Sequence, residues 1–239
     1  MLKIFAPAAA ATLALVAAGP AAAFDHPSFR YCEAGYVNQS VDFNEETTSG
    51  SALDQLNADS GSGFRGACVL ELLFGLFVHG EYTQTDIDFS AVATDPNDGF
   101  NEGGETASLR LGAGLALDVP VLPISVYGQA SYTQVEFDAG SVVDDTTMAV
   151  ENFESDDSGF DVEVGARAVF LNRIEGGAFV RYTDVGAIKR VGSLDDIEND
   201  EDIRAGAQAA VRVVGPVWGT VRYETGDVDT VMVGGRISF

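Results

Sequence analysis

Two histidines, two cysteines and a set of arginines and carboxylates at alternating positions are the side chains here with the means to do chemistry. Hydrolysis needs a base beside a nucleophile or an activated water. His79 and Glu81, with Gly80 between them, form the natural dyad, since residues two apart share one face of a strand. His26 is the other histidine. The pattern around His79-Gly80-Glu81 fits a polar interior better than a catalytic pair, so no enzyme is expected and no catalytic residue is assigned. Arg65, Arg110, Arg167, Arg181, Arg204, Arg212, Arg222 and Arg236 fall on one parity of their segments, together with Glu33, Glu71, Glu81, Asp161, Glu163 and Glu224. Opposite charges at this spacing pair across neighbouring strands as a charged ladder. The alternative is a narrow selective pore lined by the arginines. Cys32 and Cys68 share the opposite, apolar parity. They would face each other if their strands paired so that residue numbers summed to 100; a cross-strand disulfide and two small apolar thiols are both open.

Strands must position these groups. Period-2 patterning gives ten segments, at 30–38, 64–72, 75–86, 106–117, 123–136, 158–170, 175–184, 203–213, 218–226 and 230–239. In the fourth, Leu109, Leu111, Ala113, Leu115 and Leu117 alternate with Arg110, Gly112, Gly114 and Ala116. In the sixth, Phe160, Val162, Val164 and Ala166 alternate with Asp161, Glu163, Gly165 and Arg167. Connections alternate short and long. The short ones fall near Leu73-Phe74, 118–122, 171–174 and 214–217. The long ones, acidic and bearing Gly and Ser, fall at 39–63, 87–105, 137–157 and 185–202, with a tight link at 227–229. Tyr36, Phe64, Tyr82, Tyr132, Phe160, Tyr182 and Tyr223 lie on the apolar parity at the long-connection end, which is the layout of an aromatic girdle at a membrane interface. Phe74, Phe170, Trp218 and Phe239 lie at the other end and would make a second girdle, although Trp218 is off the apolar parity of its strand.

The two ends of the sequence carry signals of their own. Met1 to Lys3, an apolar run over 4–18 and Pro20-Ala21-Ala22-Ala23 read as a secretory signal peptide cleaved before Phe24. Residues 24–239 then form one domain, and removal of Lys3 takes the formal charge from −24 to −25. Such a charge argues against nucleic acid as a partner. The last stretch, Val231 to Phe239, sets Val233, Gly235, Ile237 and Phe239 on an apolar face. This ending resembles the terminal strand of bacterial outer-membrane β-barrels, whose last aromatic residue is read by the barrel-assembly machinery. With the alternating connections it makes the chain similar to the small outer-membrane barrels of Gram-negative bacteria, the OmpA/OmpX-like eight-stranded family and the ten-stranded, porin-like barrels. The resemblance implies an all-β, antiparallel, up-and-down transmembrane barrel in the cell outer membrane, with periplasmic termini. Ten strands are preferred and eight are the alternative.

The outer connections and their strand ends hold 28 acidic residues against Lys189 and Arg190. No stretch there has the spacing of an EF-hand loop, including 95–99 and 195–202. No metal ligand set and no cofactor is therefore assigned beyond loose Ca²⁺ or Mg²⁺ held between carboxylates and lipopolysaccharide phosphates. The expected partners are outer-membrane lipid, lipopolysaccharide and the assembly machinery, with room for an extracellular ligand. The expected role is structural or surface-interacting through the acidic loops; the alternative is a small, cation-favouring porin or channel.

Overall fold

The computed structural model describes residues 26–41, 43–46, 53–93, 100–144, 149–185, 188–190, 197–199, 201–226 and 228–239. The signal peptide expected over 1–23 lies outside them, as does part of each long outer connection. The strands are β1 (Arg30–Val41), β2 (Phe43–Glu46), β3 (Leu53–Glu71), β4 (Leu76–Ala93), β5 (Phe100–Asp118), β6 (Ile124–Asp144), β7 (Ala149–Phe170), β8 (Ile174–Thr183), β9 (Ile188–Arg190), β10 (Ile197–Asn199), β11 (Asp202–Val214), β12 (Val217–Thr225) and β13 (Val228–Ser238). Ten of them, β1, β3 to β8 and β11 to β13, pair antiparallel in chain order, and β1 pairs with both β3 and β13, so the sheet closes. The count is ten, not eight. β2 extends the pairing of β3, and β9 and β10 form a separate two-stranded ribbon.

Strands form where β-branched, aromatic and alternating residues satisfy a pleated surface with two different faces. The structure differs from the sequence reading at the outer end. Much of what reads as long loops is paired strand, with β6 running to Asp144 and β7 starting at Ala149. Backbone pairing continues there while the apolar alternation lapses, because above the lipid neither face needs to be apolar, so periodicity loses its cause.

The short turns carry positive φ at Phe74 (56°), Gly75 (78°), Val121 (64°), Leu171 (53°), Asn172 (54°) and Gly215 (52°). Consecutive positive values at Phe74-Gly75 and at Leu171-Asn172 match the hairpin turn whose twist suits the flanking strands. Pro120 before Val121 makes a turn that needs a positive φ at its third residue. In this region an L side chain costs about 1–2 kcal/mol, most for a β-branched one. Large apolar residues nevertheless occupy three of these sites.

Inside the barrel, glycines are placed by register. Gly112, Gly114, Gly165 and Gly206 stand directly opposite His79, Phe77, Tyr127 and Phe179. A Cβ at any of the four would run into the ring it faces. Each ring reaches over the bare backbone of the next strand, the arrangement by which an aromatic compensates a strand glycine. At the seam where β1 meets β13, Gly35 faces Gly234 on the inward side, and a Cβ on either would meet backbone of the opposite strand.

Candidate functional site

Inward-facing positions bring six arginines and six carboxylates together in the lumen. At its middle, Arg65 bonds Glu33 (2.9 Å) and Glu81 (2.5 Å), and Arg110 reaches Glu81 (3.3 Å) while clasping Asp161 with two nitrogens (2.7 and 2.5 Å). Thr133 donates a further bond to Asp161. Beside this chain, Glu163 accepts from Arg181 through Nε (3.0 Å) and Nη2 (2.8 Å) and from the Tyr127 hydroxyl (2.9 Å), and lies 3.5 Å from Arg222 Nη2. Arg222 and Arg181 both hold Glu224, at 2.6 and 3.3 Å. Two-pronged guanidinium–carboxylate contacts of this kind are strong and directional. Each charge is matched, which is the condition for burying it at tolerable cost.

Towards the short turns a second layer mixes guanidinium with aromatic rings. Glu175 takes Arg167 (2.9 Å from Nε) and Arg236 (2.9 and 2.8 Å). Arg167 lies 4.7 Å from the Phe29 ring and 5.0 Å from that of Tyr31; Arg236 lies 4.9 Å from Tyr31 and 5.0 Å from Trp218. Such contacts gain strength where water is excluded. Phe29 stacks on Phe77 (5.0 Å) and meets Tyr127 edge-on (5.8 Å). Strand β7, which carries Arg167, and β1, which carries Tyr31, are five places apart round a ten-stranded ring. One side-chain contact therefore spans the diameter. Between the two layers lies a cavity of 40 Å³ lined by Arg65, His79, Glu81, Tyr127, Glu163 and Arg222 among others, with room for about one or two waters.

The remaining expected site residues distribute unevenly. Arg204 pairs with Asp202 (2.6 Å) near the outer end, and Glu71 is half-buried near the short turns. Arg212 is exposed at the short-turn rim, 4.7 Å from the Trp218 ring, outside the paired ladder in which the sequence reading put it. Trp218 itself needs correction. It is 5% exposed inside the lumen, not in a lipid-facing girdle at the short-turn end, because its strand position shares the inward parity of Arg222 and Glu224. Strand parity outweighs the ring's preference for a membrane interface. His79 does not meet Glu81, which the two arginines occupy; its Nε2 lies 3.0 Å from Ser131 Oγ instead. The segment before β1 enters the short-turn mouth: Phe29 and Pro27 are buried, and His26 lies 3.4 Å from Asp118.

Other groups face outward. Tyr36, Phe64, Tyr82, Tyr132, Phe160 and Tyr223 are exposed on the outer surface, and Tyr182, half-buried, donates to Glu201 (2.9 Å). Cys32 and Cys68 are register partners and are joined by a disulfide. Val233, Gly235, Ile237 and Phe239 lie on the outward face of the closing strand's end, and the Phe239 N–H donates to the Arg30 carbonyl (3.1 Å). Sequence reasoning missed Glu175 and the lumen rings Phe29, Tyr31, Phe77, Tyr127 and Phe179. Glu175 has the parity of Arg181, a signal the sequence does carry. The rings become visible only once register puts glycine opposite most of them. Of the acidic outer connections, many residues lie outside the described part; among those described, Glu105, Glu136, Asp156 and Glu201 are exposed.

Comparisons with known proteins bear on the barrel fold. The family described as outer membrane protein beta-barrel domain matches residues 8–214. The translocator domain of the autotransporter NalP from Neisseria meningitidis superposes with a TM-score of 0.53 at 12% identity, over 90% of this chain and 91% of that one. The outer membrane protein OprG from Pseudomonas aeruginosa gives 0.46 at 12% identity, over 90% and 98%. Ail, the attachment invasion locus protein of Yersinia pestis, gives 0.42 at 15% identity, over 89% and 100%. No curated protein matches. At these identities the NalP likeness shows the fold alone.

Proposed function

The chain belongs to the outer membrane protein beta-barrel domain family and resides in the outer membrane, and from that premise we propose a sealed structural barrel whose working part is its acidic outer end. The observation that carries this reading is the lumen, filled at one level by charge-matched ion pairs and at another by Arg167 reaching across to Tyr31. The alternative, a small cation-favouring porin, needs a path through both layers; water-filled channels belong to wider barrels. His79, buried beside Ser131 in the lumen, is read as part of that filling and not as a catalytic base. Residues 1–23 are read as a cleaved leader, and Phe239 with Ile237, Gly235 and Val233 as the strand recognised during assembly.

At the outer end, carboxylates would bind lipopolysaccharide phosphates through bridging Mg²⁺ or Ca²⁺, both hard cations that favour oxygen ligands. Vesicles carrying the barrel should adsorb to a lipopolysaccharide monolayer in millimolar Mg²⁺ and come off with chelator. A barrel in which Glu105, Glu136 and Glu201 become Gln and Asp156 becomes Asn should lose at least half of that adsorption. Equal adsorption with and without chelator would contradict the reading.

A further inference from the structure

The short-turn rim combines three features that a water-facing rim would not need. Phe74, Val121 and Leu171 stand at turn tips with positive φ and are 92%, 88% and 86% exposed. Glycine or asparagine would relieve the backbone at each of these sites and remove the exposed apolar surface. Locally costly conformations that persist mark places where the surroundings compensate. The second feature is continuity. The outward apolar face of the strands, which a membrane barrel turns to lipid, runs into the tips through exposed Leu76, Leu117, Ile174 and Val213. The third is charge. Arg30, Arg173 and Arg212 are exposed at this rim, where exposed Asp118 lies beside His26, whereas the described exposed residues beyond the tyrosine belt at the other end include Glu105, Glu136, Asp156 and Glu201.

We propose that the short-turn rim is a phospholipid-binding collar. Phe74, Val121 and Leu171 enter the acyl region of the periplasmic leaflet, and Arg30, Arg173 and Arg212 hold the phosphates of anionic phospholipid around them. Apolar groups dipping just below the headgroups beside basic groups is the physics of interfacial anchoring. The collar seats the barrel low in the membrane, with its turns within the lipid and its acidic end outward.

The test uses the full barrel refolded in phosphatidylcholine vesicles, with and without phosphatidylglycerol. Phe74→Trp and, independently at another turn, Leu171→Trp report the depth of the tips against the constant emission of Trp218. Lipid brominated near the top of its acyl chains should quench the added emission by about half or more, and iodide in the water should add little. An indole quenched by iodide and untouched by brominated lipid would overturn the proposal and make the rim a face for a periplasmic protein. In a second arm, Arg30, Arg173 and Arg212 are each changed to Gln, and bound phosphatidylglycerol is counted by native mass spectrometry. Each change should weaken retention by about fivefold. Unchanged retention would overturn the phosphate contacts.

Discussion

Replacing Glu163 by Ala is expected to lower the unfolding free energy of the vesicle-embedded barrel by about 3–5 kcal/mol. Glu163 is 2% exposed and is shared by Arg181, Arg222 and the Tyr127 hydroxyl. Its removal leaves two guanidinium groups to Glu224 alone, since Glu81, another carboxylate lining the lumen cavity, is already bonded to Arg65 and Arg110. The cost is that of an uncompensated buried charge and not the modest net worth of a pair. Glu163→Gln keeps the volume and an acceptor oxygen, and should cost less than the Ala variant. Urea unfolding followed by Trp218 emission measures both. A loss below about 0.5 kcal/mol for the Ala variant, the scatter of ordinary surface changes, would mean that the network does not hold the lumen together.

The second large effect is expected at the seam. A side chain at Gly234 would meet the Ala34 carbonyl oxygen and Gly35 Cα, which are backbone atoms of the strand that closes the barrel. Backbone cannot swing aside as the end of a flexible side chain can. Gly234→Val should therefore cost about 3 kcal/mol or more and appear as a collapse in folded yield, read by the gel shift between folded and boiled protein. Gly219→Val is the matched control. Its added Cβ faces outward and meets only Val213, at 4.0 Å. Equal yields from the two variants would contradict the seam as described.

These two sites also show where the sequence can be read and where it cannot. Leu109, Leu111 and Leu115 against Arg110, Gly112 and Gly114 declare a two-faced strand, because lipid and lumen impose opposite demands on successive residues. Ten candidate segments and the short turns follow from such runs, whereas closure into a barrel is what the resemblance of the last strand implies. Arg110 and Asp161, or Arg181 and Glu163, can be placed on the same inward face from parity alone. Which of them touch depends on register and on reach across the ring, which no single strand encodes. Gly234 and Gly114 look alike in sequence, yet one faces backbone at the seam and the other faces the Phe77 ring. Trp218 misled as a girdle residue because its type suits an interface while its position faces inward. The outer extensions of β6 and β7 were hidden because their pairing rests on backbone hydrogen bonds that any side chain permits.

A lumen closed by side chains is the centre of the account, and single-channel recording from the refolded barrel in a planar bilayer tests it most directly. The unaltered barrel should be silent, and replacing Arg110 and Arg222 by Ala should give irregular leak as the paired layer loosens. Steady conductance from the unaltered barrel, changed in size or ion preference by those replacements, would contradict a sealed lumen and make the protein a channel.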